Sequence, residues 1–173
     1  MSMAPLKDCK LKINERAIQA RLSLHVGKGG FSLWDDGPGA EAHFSDLAPR
    51  PESLHDLMQR QAGRDCDVEL LDEKLGWIDE FRGYAAADMG PHTRRVTSLR
   101  FALAPQKGKL KFRFDGNAGP VDPGSIFQGS LNDFRRSNYR FEVEFEIAYD
   151  DLQSCISDPI ASEAFRGYIA SLS

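Results

Sequence analysis

The sequence predicts an α+β protein: a curved or barrel-like antiparallel sheet of about six to eight strands, with one internal helix and a C-terminal helix packed on it. Three observations carry this. Tyr139, Phe141, Val143, Phe145, Ile147 and Tyr149 alternate with Arg140, Glu142, Glu144, Glu146 and Ala148, which gives a long strand with one dry and one wet face. Other runs of period two recur along the chain, joined by short Gly- and Asp-rich turns that favour antiparallel neighbours. Helix starts are marked by Pro51 and by Asp158-Pro159.

Leu11 and Ile13 alternate with Lys10, Lys12 and Asn14 in a first short strand. Ile18, Ala20, Leu22, Leu24 and Val26 form the next inward series, with Gln19, Arg21, Ser23 and His25 outward, and the change of phase at residues 14–16 calls for a turn or bulge. Gly27-Lys28-Gly29-Gly30 is a hairpin loop into the strand Phe31 to Trp34, because glycine accepts positive φ. It is not a phosphate cradle, which would need a strand before it and a helix after it. Residues 35–39 are loop by composition, and His43 and Phe44 open a short strand. Pro51 starts a helix that turns Leu54, Leu57 and Met58 inward, leaves His55 on its polar side and ends by Gly63.

Cys66, Val68 and Leu70 alternate with Asp65, Asp67 and Glu69, so this strand has an acidic outer face. Residues 76–86 resist phasing. With Trp77 and Phe81 inward, Asp79 lies between them; with Ile78 and Tyr84 inward, Glu80 and Arg82 come too. Asp79 and Glu80 are therefore candidate pocket carboxylates, with a plain edge position or a bulge near Gly83 as the structural alternative. Asp88 and His92 are read as loop residues, since no nucleophile accompanies them.

Thr97, Leu99, Phe101 and Leu103 form one more strand, and Leu110, Phe112 and Phe114 another, whose outward residues are Lys109, Lys111 and Arg113. Set against Glu142, Glu144 and Glu146, this basic strip predicts that residues 109–115 and 138–150 are antiparallel neighbours. The competing reading is a basic face for an acidic partner. Between the two strands lies DGNAGPVDPGSIFQGSLNDFRRS, residues 115–137, which reads as a long loop of the kind that carries function. Its candidate partner-binding residues are Asp115, Asn117, Asp122, Phe127, Asp133, Arg135 and Arg136. Its oxygens do not follow the EF-hand spacing, so no metal is expected. One helical turn with Leu152, Cys155 and Ile156 leads to the last helix. There Ala161, Ala164, Phe165, Tyr168, Ile169 and Leu172 share a face against the sheet, or else form a dimer face.

The chain of 173 residues, 41% apolar and 28% charged, suffices for a single α+β domain with a real core. A net charge of −4 gives no basic excess for nucleic acid, and no apolar run is long enough to span a membrane. Cys9, Cys66 and Cys155 are too scattered for a zinc or redox pair and fit the reducing cytoplasm as small core residues. No hydrolase, metalloprotease or nucleotide motif is present, so no catalytic residue and no cofactor is assigned. The leading expectation is a non-catalytic bacterial cytoplasmic module, immunity- or adaptor-like, that binds another protein through the long loop and the adjacent sheet face.

Two alternatives stand beside it. Residues 53–85, with Phe81-Arg82-Gly83, resemble the helix-then-hairpin entry of phage tail-hub barrels, which implies a structural component of a phage tail or contractile injection machine that forms homo-oligomeric rings or tubes. A small-ligand binder or enzyme would instead have a pocket within the curved sheet.

Overall fold

The computed structural model describes residues 3–35, 43–61, 64–70, 75–78, 94–120 and 139–172. In chain order these form β1 (Ala4–Pro5), β2 (Lys10–Ile13), β3 (Arg16–Ile18), β4 (Leu22–Gly27), β5 (Gly30–Asp35), β6 (His43–Leu47) and α1 (Pro51–Arg60). Then come β7 (Cys66–Leu70), β8 (Trp77–Ile78), β9 (Arg94–Gln106), β10 (Lys109–Pro120), β11 (Tyr139–Ala148), α2 (Tyr149–Ser154) and α3 (Pro159–Ala170). The strands make one 11-stranded sheet in the order β1-β4-β5-β6-β8-β9-β10-β11-β2-β3, with β7 beside β8 on the flank of β9. All strand pairs are antiparallel.

The sheet is the α+β curl that the sequence predicts, with more strands than expected. The extra strands arise where long runs break. Asn14 and Glu15, at φ 50° and 66°, turn β2 back onto β3. Residues 19–21 then interrupt the inward series, leaving Ile18 and Ala20 only half-buried. Connectivity forces the curl. In a flat sheet β1 and β2 would lie eight steps apart, about 38 Å. Residues 6–9 that join them can span only about 18 Å from Pro5 to Lys10. The two margins of the sheet must therefore come round toward one another.

The concave side is filled by rings. Phe31 meets Phe101, Phe112, Phe114 and Phe165 at centroid distances of 5.2 to 6.1 Å, and Phe112 stacks on Phe145. Phe165 brings α3 onto this cluster, as its apolar stripe predicts, with Ala161, Ala164 and Tyr168 buried beside it. Asp158 caps α3 through bonds from the backbone N–H groups of Ile160 and Ala161, at 3.0 and 3.1 Å. α1 starts at Pro51 and buries Leu54, Leu57 and Met58, the face read from its spacing.

The two ends of the sheet differ. At one end lie the tight β4–β5 and β9–β10 turns and the helices. Ser157 donates its N–H to Val26 O, Val26 donates to Cys155 O, and Tyr149 donates to Gly108 O. At the other end β5, β8 and β10 finish, and β6, β9 and β11 begin.

Several local expectations are corrected. Ser23 and His25 are buried rather than outward. The segment after α2 docks on β4 there, and Ser157 Oγ lies 3.1 Å from His25 Nε2. Tyr149 leaves the long strand and opens α2. In residues 76–86 the described pair settles its own phase: Ile78 is buried and Trp77 is 37% exposed. Among the described residues, β7 and β8 each pair with β9 and not with one another. The stretch assigned to loop from Asp115 onward is strand as far as Pro120, because its backbone pairs with β9 on one side and through Ala118 with β11 on the other.

Candidate functional site at one end of the sheet

Strand register brings a row of outward-facing positions together at the end of the sheet away from the helices. Successive strands pair Ser45 with Trp77, Trp77 with Arg95, Ser98 with Asn117 and Asn117 with Arg140. Trp34 continues the row on β5, opposite His43. Trp34 is 38% exposed, and Arg95, Asn117 and Arg140 are exposed as well. Alternation puts these residues outside because their neighbours Leu33, Phe44, Ile78, Val96, Ala118 and Phe141 are buried.

The row is held by local bonds. The register of β9 against β10 shifts at Asn117/Ala118, a bulge that takes up Thr97. Asn117 Nδ2 donates to Ser98 Oγ at 2.9 Å, and Thr97 Oγ1 donates to Asn117 O at 3.2 Å. Gly116 is required next to the bulge, since a Cβ there would fall 1.9 Å from Ser98 O. The turn residue Asn14 accepts the Arg140 N–H on its Oδ1 at 2.8 Å and donates its own N–H to Arg140 O.

Of the residues named from sequence, Asp115 and Asn117 are placed, both on β10. Asp115 accepts from Arg113 at 3.1 Å and stands between Arg100 and Glu142 in the register. Asp122, Phe127, Asp133, Arg135, Arg136, Asp79 and Glu80 lie outside the described residues. Asp88 and His92 lie outside them too. Among the described residues no cluster of His, Cys, Asp or Glu could hold a metal ion. No described helix is long and apolar enough to cross a membrane.

Beside the row, the outer face is laced by ion pairs. β10 and β11 are neighbours as predicted, with Lys111 opposite Glu146 and Arg113 opposite Glu144. The bridges run one step diagonally: Lys109 to Glu146 at 2.6 Å, Lys111 to Glu144 at 2.8 Å and Arg113 to Glu142 at 3.5 Å. Hydrogen bonds from Lys111 and Lys109 hold the Glu144 and Glu146 carboxyls below their ordinary range. Glu142 and Glu144 also face Lys12 and Lys10 of β2, and with Arg113 these side chains line a shallow recess of about 370 Å³. The basic strip thus meets carboxylates of its own sheet.

Reading from sequence missed Trp34, Trp77, Arg95 and Arg140. The parity of Phe31 to Trp34 already put Trp34 outward. The other three depended on which strands become neighbours, which no short-range pattern encodes. Comparison with known proteins finds no matching family model, no matching curated protein and no matching solved structure.

Proposed function

We propose that this protein is a non-catalytic binding module, immunity- or adaptor-like, that grips a protein partner with the Trp34–Arg140 end of its sheet. One observation supports this above the others. Residues 36–42, 79–93 and 121–138 each join strand ends at the same end as the Trp- and Arg-bearing row, while residues 48–65, which contain α1, join β6 to β7 at the other end. A rigid sheet with several long connections at one end is a common way to build a recognition surface. Tryptophan and arginine are the residue types most enriched where binding energy concentrates.

The aromatic packing of the described interior favours this reading over a ligand pocket within the sheet. The terminal strands of the path have two and three residues, which favours it over a ring- or tube-former that pairs edges across subunits.

The test is partner capture from the native source with immobilised protein. Wild type is compared with Trp77→Ala and Arg95→Glu, and with His55→Ala at the helical end. A partner lost from the first two and retained by the third supports the reading; capture indifferent to Trp77 and Arg95 overturns it. Light scattering that shows mass growing with concentration would instead favour the ring-former.

A further inference from the structure

We draw no further inference here: the strongest candidate, the recess of about 730 Å³ between the β9–β10 turn and the C-terminal end of α3, carries nothing, because Lys107, the one charged residue among the described lining, stands against the negative end of the α3 dipole and nothing in the structure shows what covers the recess.

Discussion

Arg100 grips Asp67 with two parallel hydrogen bonds, Nε to Oδ1 and Nη2 to Oδ2, each 2.7 Å, and so ties β7 to β9 across the outer face. The pairing is fork to fork, the geometry in which a guanidinium matches a carboxylate best. Asp67 stands opposite Ala102 in the register and Arg100 opposite Glu69, so the bond is diagonal, like those of the β10–β11 ladder.

This pair sets a pH dependence. The hydrogen bonds from Arg100 hold the Asp67 carboxyl below its ordinary value of 3.8. A carboxyl lowered in the folded state contributes stability above its unfolded pKa and loses it as pH falls through the folded one. In Arg100→Gln the Asp67 carboxyl is expected to return toward its ordinary value, read by NMR titration, and the variant should lose less stability than wild type between about pH 4 and about pH 2. Both groups are more than half exposed, so the effect at neutral pH is expected to be small.

Phe31 is the ring around which the described interior is arranged, with no exposed surface and four aromatic neighbours among the described residues. Phe31→Ala is expected to cost about 3–5 kcal/mol in urea unfolding, while Phe31→Leu, which keeps most of the volume, should cost clearly less. Equal losses in the two variants would show that ring packing is not what matters there.

Two turn glycines make a matched pair. Gly30 and Gly108 both have positive φ, at 114° and 75°. A Cβ on Gly30 would fall 2.2 Å from Leu47 O, whereas one on Gly108 would meet nothing within 4 Å. Gly108→Ala should therefore cost only the backbone term, about 1–2 kcal/mol. Gly30→Ala should cost distinctly more, because the obstructing atom is backbone and cannot rotate away. Thermal unfolding of the two variants side by side checks the order.

Burial pushes the thiols up, Cys66 to about 11 and Cys9 and Cys155 to about 12. At pH 8 a thiolate-directed reagent is expected to label the folded protein at least about a hundredfold more slowly than the chain in urea. Groups raised in this way stabilise below their unfolded pKa, so stability should decline as pH rises above about 9. Rapid labelling of one cysteine in the folded protein would contradict this account of that residue.

The fold was legible wherever a side chain's neighbours follow from its own strand. The alternation from Phe141 to Ile147 and the opposite charges of Lys111 and Glu144 identified two neighbouring strands and their faces, because both signals survive at short range. Ser23 and His25 were misread as outward, since a period of two distinguishes faces but cannot say that a distant segment such as Ser157 will cover the wet one. Gly116 and Asn117 looked like loop by composition. They are strand because the glycine lets Ser98 O approach closely and the asparagine side chain bonds across the pair, both tertiary effects that override propensity. The candidate row was hidden for the same reason, as Trp77 and Arg140 come together only through the strand order.

The joining of β2 to β11 has a consequence for synthesis. Asn14 and Arg140, bonded across that seam, are 126 residues apart. A ribosome adding about 5–20 residues per second exposes the first strands on the order of ten seconds before their partner emerges. During that interval β2 presents an unsatisfied margin whose alternating Lys10 and Lys12 discourage pairing with a neighbouring nascent chain. The lysines that line the finished sheet would thus act earlier, as guards against premature aggregation. Closure of the curl would be among the last events of folding, when the strand bearing Glu142 and Glu144 arrives to meet them.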